Sequence, residues 1–274
     1  MLPGAKVTPE IAAIRGIPVG EASLSPNRFS DFSSLPELID FVERVKATVP
    51  CPVGVKIVVG DAAFANDLAR TLAEEGRGPD YVSVDGAEGG TGAAPMSLTD
   101  HMGLPLQDAI VVVDDAYRRW GVRDRVSIIG AGRIVTGAEA AFTLALGADM
   151  VNIGRGFLFS IGCIQALRCH TNECPTGVAT QSAWRQRGLV PQDKRSRVAN
   201  YAMAVNEDLM VVTRSLGLQS PADLTREHLE VVVAIGQRMR ASDLYPYPPL
   251  ALQAMVSPAV ISRFSVEPAE EWAS

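Results

Sequence analysis

The sequence alternates short β-branched runs with helical segments, and this alternation constrains the fold more than any other feature. We predict strands at residues 53–59, 81–84, 126–129 and 150–153. Helices are predicted after the N-cap Ser34, from about Phe64 to Gly76, at residues 105–119 and at residues 137–146. Strands that alternate with helices form right-handed parallel βαβ units, so the chain is predicted to be an α/β protein.

The pattern changes in the last third of the chain. Residues 197–216 and 224–236 are predicted to be helices, and Ser220 with Pro221 would begin the second of them. The sequence from Tyr245 onward is rich in proline and is predicted to lie over the surface. We therefore expect one domain over residues 1–245 and a C-terminal tail over residues 246–274.

Glycine-rich stretches follow the ends of three successive predicted strands. Their candidate cofactor residues are Gly89, Gly90 and Thr91 after the second strand, Gly130 and Gly132 after the third, and Gly154, Arg155 and Gly156 after the fourth. Glycine lets backbone N–H groups approach a flat ring or an oxygen atom closely, and a following helix N-terminus can hold a phosphate. Tight strand–helix turns are the alternative for each stretch taken alone. Together they favour a flavin mononucleotide (FMN) site at the carboxyl ends of the strands.

Lys56 lies inside the apolar run VGVKIVV. An unpaired ammonium group in a buried strand is costly, so this lysine requires a partner. It is predicted either to face a flavin ring or phosphate, or to pair with an acidic neighbour such as Asp85.

Three of the four cysteines form a C-x5-C-x4-C pattern, which consists of Cys163, Cys169 and Cys174. Cysteine is the usual ligand of iron–sulfur clusters, and three thiolates suit a cluster with three irons. The alternative is three buried small residues that are close in sequence by chance. The fourth cysteine, Cys51, is predicted to be a buried small residue.

Composition excludes several classes of function. The 274 residues carry a net charge of -6, which argues against a general nucleic-acid surface. No stretch has the length of a membrane span, and no apolar signal core follows the N-terminus. Clustered cysteines indicate a reducing compartment, so we expect a cytoplasmic protein.

Four strings of this sequence resemble the FMN-binding glutamate synthase family. They are R-C-H-x-N-x-C-P-x-G-x-A-T-Q from residue 168, VDGAEGGTGAAP at residues 84–95, LPGAKVTPEIAAIRGIPVG at residues 2–20, and residues 121–157. The likeness is closest to the short members that lack an amidotransferase domain. It implies a [3Fe-4S] cluster on Cys163, Cys169 and Cys174, a flavin contact for Lys56, and a 2-oxoglutarate carboxylate contact for Arg15, whose planar fork suits that task.

The resemblance also implies a fold. The flavin domain of the family is a (β/α)8 TIM barrel, and this chain is predicted to be its C-terminal half, with about four βα units followed by an iron–sulfur cluster loop and C-terminal helices. A half barrel leaves two unpaired parallel edges, so a further chain supplying the first half is an expected partner. An open four-stranded sheet is the alternative.

By resemblance, the activity is the FMN- and iron–sulfur-dependent reductive amination of 2-oxoglutarate to glutamate, with electrons from ferredoxin or a pyridine-nucleotide reductase subunit. The family lysine in K-P-G-x-G-G precedes LPG and is not in this sequence, and the third strand ends in GAGR where long members carry an acidic residue. These differences leave the acceptor open, and no catalytic residue is assigned. The alternatives are a related synthase with another acceptor, or a cluster-bearing electron-transfer or scaffold subunit that is inactive alone.

Overall fold

The computed structural model describes residues 2–26, 28–90, 94 and 97–251, and a sheet of four parallel strands lies at its centre. The strands are β1 (Gly54–Val58), β2 (Tyr81–Asp85), β3 (Ser127–Ala131) and β4 (Met150–Asn152). They are hydrogen-bonded in the order in which they occur in the sequence. A barrel wall has this sequential order, whereas a doubly wound sheet reverses its order. The predicted α/β fold, with four βα units arranged as in part of a barrel, is confirmed.

The helices lie where the local sequence signals place them. Those within the described residues are α1 (Pro9–Arg15), α2 (Leu35–Thr48), α3 (Ala62–Glu75), α4 (Leu106–Arg119), α5 (Gly137–Leu146), α6 (Arg155–Ser160), α7 (Ala183–Gln186), α8 (Pro191–Ser215) and α9 (Ala241–Leu244). Gly76 ends α3 in the left-handed conformation at φ 71°. Thr136 and Glu139 form a capping box at the start of α5. None of the described helices has the length and apolar character of a membrane span.

One face of the sheet packs against the helices, and the other face is partly open. Val82, Val84 and Ile128 are fully buried on the face that packs against the helices. On the opposite face, Val58 is 52% exposed and the Lys56 side chain is 62% exposed. The prediction of a buried first strand is therefore wrong for Lys56 and Val58, although Ser83 of β2 on the same face is buried.

Two strands are sheet edges within the described residues, since β1 and β4 each pair on one side only. An apolar groove of about 770 Å³ runs along β1 and is bordered by α2. Phe29, Phe32 and Phe41 line this groove and contact one another. The predicted unpaired parallel edges are thus present, and the one at β1 is bordered by aromatic side chains.

The segment 224–236 is not a helix, which corrects the prediction. Ser220 caps a 3-10 turn at Pro221–Asp223, and a hairpin of β5 (Glu230–Ala234) and β6 (Gln237–Arg240) follows. The apolar residues of this segment could form a helix or a strand. Gly236 has a φ of 73°, which allows the tight turn through which β5 pairs with β6 as a hairpin.

A buried arginine fixes this C-terminal region to the barrel units. Arg226 has no exposed surface, and its Nη2 lies 2.9 Å from Asp114 Oδ2 and 2.7 Å from Asp115 Oδ1. Its other guanidinium nitrogens donate to the carbonyl oxygens of Leu146 and Tyr245. Both carboxylates are on α4, so one side chain connects the C-terminal region to the helix between β2 and β3.

Replacing Gly137 with alanine is expected to lower the free energy of unfolding by about 1–3 kcal/mol. A Cβ at this first residue of α5 would lie 2.3 Å from the backbone nitrogen of Leu209 in α8, and backbone cannot move aside as a flexible side chain can. Urea unfolding followed by circular dichroism measures the change. Gly60→Ala is the control, because a Cβ there meets no atom within 4 Å. Equal stability of the two variants would contradict the close helix contact.

Candidate functional site

The carboxyl-terminal parts of β1 and β2 are linked by an ion pair. Lys56 Nζ lies 2.7 Å from Asp85 Oδ2, and the Asp85 side chain is only 13% exposed. Of the two alternatives for Lys56, the structure contains the pair with Asp85. The Lys56 side chain remains exposed on the face of the sheet opposite the helices, and its contact with a flavin remains a prediction.

An open cleft of about 440 Å³ extends from Asp85 along the glycine-rich loop after β2. Gly86, Gly89 and Gly90 are among its lining residues. A Cβ at Gly89 would lie 1.9 Å from Asp85 Oδ1, so no side chain fits there. Gly90 has φ 82°, in the left-handed region that favours glycine. The loop therefore brings bare backbone next to the carboxylate that holds Lys56.

Glu88 in the same loop caps a helix. Both of its carboxylate oxygens accept a hydrogen bond from the backbone N–H of Leu106, at 3.0 and 3.2 Å. Leu106 begins α4, where free N–H groups and the helix dipole favour a negative charge. Gly132 lies at this contact, since a Cβ there would be 3.2 Å from Leu106 Cβ and 3.4 Å from Glu88 Oε1. Glu88, the second acidic residue of VDGAEGG, therefore caps the N-terminus of α4.

Two of the predicted cofactor glycines fill tight packing positions. A Cβ at Gly130 would lie 2.6 Å from Thr143 Cγ2 of α5, and one at Gly156 would lie 1.7 Å from Tyr201 Oη of α8. Neither glycine lines the cleft or the cavity described next. Thr91 lies outside the described residues.

Arg155 connects the cleft with the cysteine segment, which is residues 163–181. It is the first residue of α6, and its Nη2 donates to the carbonyl oxygen of Gly90 at 3.4 Å. Gly90, Gly154 and Arg155 line a second cavity of about 110 Å³. Among the described residues, the guanidinium group of Arg155 has no carboxylate partner, so the charge of Arg155 is available to an anion.

The three clustered cysteines line this same second cavity. Cys174 is buried, whereas Cys163 and Cys169 are half-buried. Across the part of the chain that the structure describes, no three His, Cys, Asp or Glu side chains converge closely enough to hold a single metal ion. A cluster of several irons keeps its thiolates farther apart, because each iron takes its own ligand. Three thiols around one cavity therefore match the donor set of a cluster better than that of one ion.

The cysteine segment is folded around Asn172, which has a left-handed φ of 68°. The Thr180 hydroxyl donates to the Asn172 carbonyl oxygen at 2.7 Å, and the Gln181 N–H donates to Asn172 Oδ1 at 2.7 Å. Burial of Cys174 opposes a thiolate, but hydrogen bonds from the Thr176 hydroxyl and nearby backbone amides outweigh burial and lower the pKa of this thiol below its ordinary value. The segment thus favours the thiolate form of Cys174.

The N-terminal segment, residues 2–7, packs against the cysteine segment. Lys6 Nζ donates to the carbonyl oxygen of Cys169 and, at 3.0 Å, to that of Ala179. Asn172 Nδ2 donates to the carbonyl oxygen of Ala5 at 3.4 Å. Lys6 was not among the predicted site residues, and its place in LPGAKVTPE was the available signal.

Arg15 is the last residue of α1, whose N-terminus is capped by Thr8. It is exposed and lines neither the cleft nor the cysteine cavity. Its predicted contact with a substrate carboxylate stays a prediction. Cys51 is also exposed, which corrects its predicted burial, because the VPCPVG turn lies at the surface before β1.

Known proteins are similar in sequence to this chain over most of its length. The family described as the conserved region in glutamate synthase matches residues 1–219. The glutamate synthase large subunit-like protein YerD of Bacillus subtilis is 42% identical over 226 residues, which are 82% of this chain and 43% of that protein. The archaeal glutamate synthase (NADPH) of Methanocaldococcus jannaschii is 38% identical, over 80% of this chain and 42% of its own length. The chain therefore spans less than half the length of these relatives.

More distant matches agree in family. The ferredoxin-dependent glutamate synthase of Cyanidium caldarium is 33% identical over 80% of this chain and 14% of its own length. Among solved structures, the flavin-binding domain of baker's yeast flavocytochrome b2 matches with 15% identity and a TM-score of 0.45, over 88% of this chain and 49% of that one. The sequence matches, and not this structural likeness, determine the family.

Proposed function

The chain belongs to the glutamate synthase family, and from this premise we propose that it is part of an FMN- and iron–sulfur-dependent oxidoreductase that aminates 2-oxoglutarate to glutamate. One observation carries the proposal. Arg155 borders the cavity of the three cysteines and also hydrogen-bonds the glycine-rich loop of the cleft. A flavin in the cleft and a cluster at the cysteines would therefore be neighbours, as electron transfer between them requires.

The cleft residues suit FMN. Gly86 and Gly89 offer backbone without side chains. Lys56 and Arg155 do not line the cleft but contact its residues Asp85 and Gly90, and they would offer positive charge for the ring or the phosphate. Asp85 would fix the position of the Lys56 ammonium group through their ion pair. Bound FMN would supply hydride transfer, and the residues of the cleft would orient it.

The cysteine cavity suits a [3Fe-4S] cluster. It presents three thiols, and the lowered pKa of Cys174 supports the thiolate form. Bound there, the cluster would supply one-electron transfer. We propose a ferredoxin or a pyridine-nucleotide reductase subunit as the electron donor, and the names of the relatives, which include both NADPH and ferredoxin, support this choice. Cluster ligands must stay reduced, which favours the cytoplasm.

Arg15 is the proposed carboxylate ligand of the acceptor, since it is exposed and its planar fork pairs with both carboxylate oxygens. It ends α1, the helix that follows the segment packed on the cysteines, and this supports the proposal. A related acceptor with the same carboxylate group would use the same arginine.

The groove beside β1 favours a second polypeptide in the active assembly. In a right-handed βαβ unit the helix connects two parallel strands and packs against both of them. The helix α2 precedes β1, so a strand before α2 would pair with β1 in the groove between them. We propose that a chain with an apolar β-strand occupies it. The alternative function, an electron-transfer or scaffold subunit that is inactive alone, is favoured by the same open edge.

Anaerobically reconstituted protein is expected to bind about three irons per chain and to bind FMN. Changing Cys174 to alanine removes a thiolate from the shared cavity, so most of the iron and its electron paramagnetic resonance signal should disappear. Cys51→Ala is the matched control, because Cys51 is exposed and does not line the cavity, and it should keep both. Bound zinc, or iron that survives the Cys174→Ala change, would contradict the cluster, and absence of FMN would contradict the flavin site.

A further inference from the structure

The ammonium group of Lys6 lies between two backbone carbonyls of the cysteine segment. One carbonyl belongs to Cys169 and the other to Ala179, so the two acceptors lie on either side of Cys174 in the sequence. The Lys6 residue is half-buried, and no carboxylate of the described chain forms an ion pair with it. Hydrogen bonds from an ammonium group are stronger than those between neutral groups. One side chain thus holds both ends of the segment 169–179.

The cysteine segment needs such restraint because its backbone is unfavourable in isolation. Gln165, Leu167 and Asn172 have φ values of 54°, 55° and 68°, which residues with side chains rarely adopt. Such conformations persist where the surrounding contacts determine them. Residues 2–7 supply hydrogen bonds to this segment from Lys6, and Ala5 accepts one from Asn172.

The charge of Lys6 also suits the proposed ligand. Three thiolates concentrate negative charge in one small cavity, and an ammonium group close to their backbone favours that charge. Arg155 borders the same cavity from the opposite part of the sequence. Arg168 also lines the cavity, and Lys6 lies behind it on the carbonyl oxygen of Cys169, so cationic side chains from three parts of the sequence lie around the cysteines.

We propose that Lys6 is a positioning residue that fastens the N-terminal segment to the cysteine segment and holds its three thiols around one cavity. The part that concerns the cluster rests on the proposed function. The restraint of the cysteine segment does not rest on that function, because the hydrogen bonds of Lys6 form in the protein without iron.

The test compares Lys6→Met with Lys46→Met in a Cys51→Ser background, so that an aromatic disulfide reagent reports only on the cysteine segment. Lys46 is a matched control, since its Nζ also donates to a carbonyl, that of Gly78 at 3.0 Å, and pairs with Asp80. In iron-free protein the thiols of the Lys6→Met variant should react about tenfold faster than in the parent. The Lys46→Met variant should react at the parent rate.

Iron release to a chelator is the second measurement. The Lys6→Met variant should release iron about tenfold faster, and Lys6→Arg, which keeps charge and reach, should stay within about threefold of the parent. If Lys6→Met does not fold, limited acetylation of the folded parent neutralises the same amine. Molecules acetylated at Lys6 should then show the faster reaction, and those acetylated only at Lys56 should not.

Thiol reactivity and iron release unchanged by neutralising Lys6 would overturn the proposal. A parent protein that binds no iron would overturn the proposed cluster alone, because thiol reactivity would still decide whether Lys6 holds the segment. An equal effect of Lys46→Met would also count against the proposal, since it would show a general loss of stability.

Discussion

The Arg226→Ala variant is expected to lose about 3–5 kcal/mol of unfolding free energy. The guanidinium group is fully buried and supplies a donor to each of Asp114 and Asp115, as well as to two backbone carbonyls. Burial already raises the pKa of Asp115, and the hydrogen bond from Arg226 opposes that rise. Without the arginine, α4 would retain a partly buried carboxylate with no strong partner, and the C-terminal region would lose its main polar contact.

Urea unfolding of the intact chain, followed by circular dichroism, measures this loss. Arg238→Ala is the matched control, because Arg238 also pairs with a carboxylate, that of Glu230 at 3.3 Å, but its side chain is 74% exposed. Its removal should change the unfolding free energy by less than about 1 kcal/mol. A similar small change for Arg226→Ala would show that the buried pairs do not stabilise the native state.

The purified chain alone is expected to make glutamate at far less than the rate of about 1 per second at which complete enzymes commonly work. A closed barrel surrounds its site with eight loops, whereas the described residues contain four strands of it. Arg15 is exposed and does not line the cleft, and a displacement of about one ångström can cost roughly a hundredfold in rate. The assay supplies 2-oxoglutarate, ammonia or glutamine, and chemically reduced ferredoxin.

Complementation separates an incomplete enzyme from an inactive scaffold. Co-expression with the part of the Bacillus subtilis relative that this chain does not match should restore turnover, because that part would supply a strand to the groove beside β1. Fast turnover by the chain alone would show that no second polypeptide is needed. Failure of complementation despite a stable complex would favour the scaffold function.

The sequence predicted the parts of the fold that local signals determine. The capping box at Thr136 and the glycine at position 76 lie at helix ends that were predicted within a residue or two. The four β-branched runs became strands for the same reason, since each is bounded by turn residues. The association of the three cysteines followed from their short spacing, which any compact loop must bring near one cavity.

Features that depend on distant contacts were not predictable in the same way. The segment 224–236 pairs as a hairpin and is anchored by Arg226, whose partners are on α4, more than a hundred residues earlier. Lys6 lies in the string LPGAKVTPE, but that string does not predict its acceptors, which are carbonyl oxygens of Cys169 and Ala179. Gly130 and Gly156 lie in glycine-rich stretches of the kind that bind cofactors. Each of them packs against a side chain of a later helix, which the local sequence does not indicate.

The contact between Lys6 and Cys169 has a consequence for the order of folding. These residues are separated by 163 positions, whereas each βα unit joins neighbours within a few tens of residues. Closing a longer loop costs more chain entropy, and contacts distant in sequence form late. Residues 2–7 are synthesised before the cysteine segment, so their docking surface exists only after that segment has emerged. These residues are therefore expected to reach their native position later than the βα units that lie between them and the cysteine segment.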